Sequence, residues 1–138
     1  MKKILIVDDS FFMRNVLKDI LVNVLGASEK GGFASRQKAA GGYKILEAAS
    51  GNEALKQFEM ERPDLIMLDI IMPEGEEEGI RVLRTVMQRD PKQRVVMISA
   101  VGQDATKEKC KRLGVKDYLI KPFDDEQIAE TVKKYLGD

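Results

Sequence analysis

Four side chains with complementary chemistry close separate apolar runs: Asp8 and Asp9 end KKILIVDD, Asp69 ends DLIMLD, and Lys121 ends DYLIK. Three carboxylates brought together repel one another unless a cation neutralises them, and a hard divalent ion with oxygen ligands meets that need; Mg²⁺ is the first candidate. Mg²⁺ held by one or two carboxylates usually completes its shell with phosphate oxygens, so the chemistry indicated is phosphoryl transfer. A carboxylate can itself be the nucleophile, giving an aspartyl phosphate. Lys121 would then supply a point charge to one phosphoryl oxygen, and Ser99, which ends VVMIS, a hydroxyl donor to another. Taken singly, each residue has a plainer reading. An acidic pair after a strand is a common turn or helix cap, Asp69 precedes a Met-Pro turn, Lys121 can be a solvated lysine before Pro122, and Ser99 an ordinary cap. Their joint placement carries the argument.

That placement requires a sheet. Lys3–Val7, Lys44–Glu47, Leu65–Leu68, Arg94–Ile98 and Tyr118–Ile120 are short, continuous apolar runs of the kind strands buried on both faces present. Segments with helical spacing separate them; in the first, Phe12, Met13, Val16, Leu17, Ile20, Leu21, Val24 and Leu25 form a stripe that should face a core. Ser10, Ser50 with Glu53, and Asp124 with Gln127 have the types and spacing of helix N-caps, and Gly114 reads as a helix stop. Strands alternating with helices imply right-handed crossovers and a doubly wound α/β sandwich. In such a sheet ligands bind beyond the carboxyl ends of the strands, where the strand order reverses, and there the four side chains would meet.

At 138 residues the chain is predicted to form one domain, with Cys110 a small half-buried helix residue rather than a reactive thiol. It has no long apolar segment and no signal peptide, so the expected location is the cytoplasm, away from membranes. Basic and acidic residues balance at 23 each, which gives no reason to expect nucleic-acid binding. With no histidine the chain cannot be a phosphohistidine donor.

ILIVDDS, LIMLDIIMP, VVMISA and KDYLIKPF, in this order and spacing, resemble the signature of response-regulator receiver domains, the CheY-like phosphoacceptors of two-component signalling. The resemblance spans nearly the whole chain and implies a flavodoxin-like, five-stranded parallel sheet of order 2-1-3-4-5. It also implies roles. Asp69 resembles the phosphoacceptor; Asp9 and Asp69 resemble direct Mg²⁺ ligands, with Asp8 acting mainly through water and the Ile71 backbone carbonyl completing the protein ligands. Lys121 resembles the phosphate-binding lysine, Ser99 the hydroxyl that moves to meet the phosphoryl group, Ala100 its small neighbour, and Tyr118 the aromatic switch that rotates inward.

Phosphorylation would act as a population shift that alters the surface of the fourth helix, fifth strand and fifth helix. The implied partners are a histidine kinase as donor and a downstream protein target, in a flagellar motor or a phosphorelay. Two other functions remain open here: a phosphorylation-independent scaffold, and a small Mg²⁺-dependent phosphohydrolase using Asp69.

Two positions bear on signal lifetime, and the chain departs from the family pattern in two further places. Ile71 and Val101, two residues beyond Asp69 and Ser99, are apolar and cannot orient a hydrolytic water, so self-dephosphorylation should be slow. Residues 27–42, ASEKGGFASRQKAAGG, are inserted between the first helix and second strand, at the end of the sheet away from the acidic site. There FASRQKAA can form a short extra helix, and Lys30, Phe33, Arg36 and Lys38 either bind a partner or belong to a solvated loop. Finally, EGEEEGI after Pro73 is about two residues longer than the usual receiver loop, with Glu78 where aspartate is usual. Its glutamates are expected either to raise the negative potential beside the pocket or to be solvated loop charge.

Overall fold

The computed structural model describes residues 2–25, 28–29 and 43–137. Elements follow in the order β1 (Lys2–Val7), α1 (Phe11–Leu25), β2 (Ser28–Glu29), β3 (Tyr43–Ala48), α2 (Gly51–Glu61), β4 (Leu65–Leu68), α3 (Glu78–Arg89), β5 (Val95–Ser99), α4 (Asp104–Leu113), β6 (Asp117–Ile120) and α5 (Asp125–Leu136). The five long strands are parallel, as their apolar runs indicate, and lie in the order β3-β1-β4-β5-β6, the order the resemblance implies; β2 adds two residues at the edge beside β3. Apart from Ser28–Glu29, residues 27–42 lie outside the described residues.

Period-two alternation divides the core between the two faces of the sheet. Leu5, Val7, Leu46, Ile66, Leu68 and Met97 face α2, α3 and α4, packing with Phe58, Leu83, Val86 and Cys110. Ile4, Ile6, Ile45, Met67, Val96 and Ile98 face α1 and α5, packing with Leu17, Ile20, Leu21, Ile128 and Val132. The central strands β1, β4 and β5 bury both rows over most of their length, so Ile4–Val7, Leu65–Leu68 and Val95–Ile98 read as unbroken apolar residues, whereas β3 and β6 nearer the edges are only partly buried.

The α1 stripe is narrower than its sequence indicates. Leu17, Ile20 and Leu21 are buried, but Phe12 is 73% exposed, as is most of Phe11. Both phenylalanines lie in the first turn of α1, and the buried positions begin only at Leu17. The side chains of Val24 and Leu25 lie outside the described set.

The helix punctuation is observed directly. Ser10 Oγ accepts from Met13 N–H at 3.1 Å, Ser50 caps α2 through Glu53 N–H, Asp124 and Gln127 form a reciprocal capping box, and Gly114 ends α4 at φ 110°. Cys110 is fully rather than half buried, and burial pushes its thiol up from its ordinary value.

Candidate functional site at the carboxyl edge of the sheet

Strand register brings the sequence-distant acids together. Val7 pairs with Leu68, so Asp8 and Asp69 leave the sheet side by side, Asp69 N–H still donating to the Val7 carbonyl at 3.0 Å. Ser99 pairs with Ile120, and Lys121 N–H donates to the Ser99 carbonyl at 2.9 Å, which starts Lys121 back toward the acids; its peptide to Pro122 is cis. Arg14, one turn into α1, reaches back to donate to the Asp8 carbonyl at 2.8 Å and pairs with Glu47 at 2.9 Å, which steadies the loop carrying Asp8.

Asp8 and Asp69 are buried and Asp9 is exposed. Ligand oxygens of the three lie within 4.8 Å of one another. Lys121 Nζ donates to Asp8 Oδ2 at 2.7 Å and to Asp69 Oδ2 at 3.2 Å. Asp69 Oδ1 accepts from Ile70 N–H at 2.7 Å, and Asp8 Oδ1 from Ser10 N–H at 2.9 Å.

Burial pushes the Asp69 carboxyl up from its ordinary value; the Lys121 charge opposes this and the neighbouring Asp8 charge reinforces it. Burial alone would lower Lys121, but its hydrogen bond to Asp8 and the Asp69 charge outweigh that and raise it. Three carboxylates against one ammonium leave two negative charges, the amount a divalent cation would neutralise. The all-oxygen donor set, one face of it open at Asp9, suits a hard ion that keeps part of its water shell.

Ser99 is fully buried, with its Oγ accepting from Val101 N–H at 3.3 Å. The Tyr118 hydroxyl donates to the Val101 carbonyl, so one peptide segment is held by both proposed switch residues. Burial pushes the Tyr118 phenol up to about 12. Ala100 is exposed beside Ser99. Ile71, 46% exposed, and Val101 line one cleft of about 310 Å³ with Ile70 and Ile80 beneath and Glu76, Glu77, Gln103 and Thr106 around them. The two expected positions, Ile71 and Val101, thus share one cleft, apolar at these positions and polar around them.

The glutamate loop divides in a way its sequence does not reveal. Glu74 and Glu76 are exposed, Glu77 pairs with Lys109 at 3.3 Å, and Glu78 is buried, its carboxylate held by Arg81 at 2.8 and 2.7 Å. Glu78 is therefore neither solvated nor a source of free negative potential at the pocket. Next to it, Gly79 lies so close to the segment that follows β4 that a Cβ there would stand 1.9 Å from the Asp69 carbonyl oxygen. Gly79 and Arg81 escape a reading based on reactive residue types, because close backbone approach and the burial of an ion pair are decided by packing.

Residues 4–133 match the model of the response regulator receiver domain. The chain belongs to that family. This receiver domain is 37% identical over 135 residues to the chemotaxis protein CheY of Bacillus subtilis (strain 168), with 98% of each chain covered. It is 36% identical over 135 residues to sporulation initiation phosphotransferase F of the same organism, covering 98% of this chain and 94% of that one. Among solved structures, the CheX-CheY-BeF3-Mg complex of Borrelia burgdorferi aligns with TM-score 0.77 and 30% identity over 96% of this chain and 87% of that one. No helix among the described residues is long and apolar enough to cross a membrane.

Proposed function

We propose that Asp69 accepts a phosphoryl group from a histidine kinase and that the resulting charge switches the surface of α4, β6 and α5 toward a protein target. The observation that carries this reading is the convergence of Asp8, Asp9, Asp69 and Lys121 at one sheet edge, with their oxygens within 4.8 Å and the ammonium bonded to both buried acids.

In the transfer, an Asp69 carboxylate oxygen attacks phosphorus, the bond from phosphorus to the donor's imidazole nitrogen breaks, and the imidazole recovers a proton from solvent. Mg²⁺, held by Asp9, Asp69 and the Ile71 carbonyl with Asp8 acting through water, would supply charge neutralisation for the incoming phosphoryl oxygens. A relative solved together with Mg supports that choice of ion. Lys121 exchanges its Asp69 contact for a phosphoryl oxygen. Ser99 Oγ, released from Val101 N–H, donates to a second oxygen, and Tyr118 follows through the Val101 peptide.

Ile71 and Val101 carry no polar side-chain atom, so they leave the acyl phosphate without a positioned water, and the signal is long-lived. The chain acts as a signalling domain in the cytoplasm, assisting its own phosphorylation and dephosphorylation rather than turning over a separate substrate. We read 1–138 as one receiver unit with an insertion at about 27–42. Its relatives serve chemotaxis and sporulation, and control of a motor-type target or passage of phosphate along a relay both fit that kinship.

Intact mass after incubation with Mg²⁺ and a small-molecule phosphodonor tests the reading. One added phosphoryl group in the wild type, absent from Asp69→Ala, is the expected result; no adduct in the wild type overturns it.

A further inference from the structure

We propose that Glu78 is a positioning residue for phosphoryl transfer, holding the first turn of α3 in place so that Gly79 and Ile70 aim the Asp69 carboxylate. The inference rests on the reading of Asp69 as the phosphoacceptor.

Helix α3 begins without a side-chain cap: Glu77 occupies the N-cap position and makes no capping hydrogen bond with its side chain. Its first turn must be held by other contacts. One comes from the segment that follows β4, where Gly79 N–H donates to the Ile70 carbonyl at 2.8 Å. The N–H of the same Ile70 donates to Asp69 Oδ1 at 2.7 Å. Ile70 is thus fixed at both of its backbone polar groups, one by α3 and one by the reacting carboxylate.

The second contact is Glu78. Its buried carboxylate lies against Gly51 in the first turn of α2, where an added Cβ would stand 2.1 Å from Glu78 Oε2. Arg81 chelates both carboxylate oxygens and reaches Asn52 Oδ1 of α2 at 3.4 Å. The carboxylate sits beside the positive end of α2 and is held below the ordinary carboxylate range by Arg81. Glu78 therefore ties the start of α3 to the start of α2, and adjacent Gly79 transmits that position to Ile70 and Asp69 with no slack, because Gly79 already touches the Asp69 backbone. Small displacements of a reacting group are costly to rate, so loosening this chain of contacts should slow transfer even though Glu78 touches no reactant.

The test compares adduct formation at saturating Mg²⁺ and phosphodonor for wild type, Glu78→Ala, Glu78→Asp, Arg81→Ala and Gly51→Ala, well below each melting temperature. Glu78→Ala, Arg81→Ala and Gly51→Ala should each slow the reaction by about tenfold and weaken Mg²⁺ binding, while Glu78→Asp recovers most of the rate. The double variant Glu78→Ala/Arg81→Ala should be no slower than either single one, because both belong to one contact. Should Glu78→Ala not fold, Glu78→Gln, which keeps the shape and loses the charge, takes its place. A folded variant whose rate and Mg²⁺ affinity stay within about twofold of wild type, at whatever cost in melting temperature, overturns the inference and leaves the phosphoacceptor reading intact. A wild type that takes no phosphoryl group overturns both.

Discussion

The Lys121 ammonium stands 2.7 Å from Asp8 Oδ2, nearer than its 3.2 Å contact with Asp69. It pairs with both buried acids, so its charge would compete with that of a cation drawn to the same carboxylates. Removing it should therefore have opposite effects on binding and on chemistry. Lys121→Met is expected to bind Mg²⁺ more tightly, since a repelling charge is gone, and to be phosphorylated about a hundredfold more slowly, since the donor to the phosphoryl oxygen is gone. Calorimetric titration with Mg²⁺ and the rate of mass increase check the two directions.

Metal removal should register as a loss of stability. With Mg²⁺ a hundredfold above its dissociation constant, linkage adds about 2.7 kcal/mol to the folded state, so the melting temperature should rise on adding Mg²⁺ and return on adding a chelator. Asp9→Asn, which takes one carboxylate from the open face, is expected to remove most of that response.

The cleft at Ile71 and Val101 predicts the lifetime of the phosphorylated state. Ile71→Asn combined with Val101→Glu places an amide and a carboxylate in the cleft those residues line, where they can hold a water against the acyl phosphate. The phosphoryl half-life should fall by about tenfold or more. A time course of intact mass after donor removal measures it, and an unchanged half-life counts against Ile71 and Val101 as the determinants.

Gly79→Ala should unfold the protein more readily than any surface change. The new Cβ would stand 1.9 Å from the Asp69 carbonyl oxygen and 2.6 Å from Ile70 Cα, both backbone atoms that cannot swing aside. Overpacking of this kind costs about 1–3 kcal/mol, readable as a lowered urea midpoint.

Tyr118 gives a pH signature. Its phenol is raised from 10.0 to about 12 in the folded protein. The unfolded chain therefore gives up this proton first, and the native state retains it. The stability this group contributes is fully present below pH 10 and is lost as pH rises from about 10 to about 12. Ultraviolet titration should show a tyrosinate transition near pH 12 in the wild type that is missing from Tyr118→Phe.

How much of this could be read from the chain depends on the range of the interaction. Continuous apolar runs ending in Asp8, Asp9, Asp69 and Lys121 pointed to a parallel sheet and to the convergence of these four side chains at one edge, because burial on both faces dictates residue type and strand ends dictate where side chains emerge. Ser10, Ser50, Asp124 and Gly114 were legible because capping is decided within one helical turn. Phe12 illustrates the limit of periodicity: helical spacing shows which residues share a face but not how far along the helix that face is covered, and Phe12 in the first turn is exposed.

Glu78 shows the limit more sharply. Within EGEEEGI it is one glutamate among four, and its type and local charge indicate solvent. Only the packing of α3 on α2, with room at Gly51 and a guanidinium at Arg81, decides that this carboxylate is buried and paired while Glu74 and Glu76 remain exposed. The sequence by itself determined the elements, their order and the chemistry at the strand ends, since these follow from local propensity and from hydrophobic pattern. Tertiary structure alone decided which charges are shared and which backbones touch, because burial and distance belong to pairs of residues far apart in the chain.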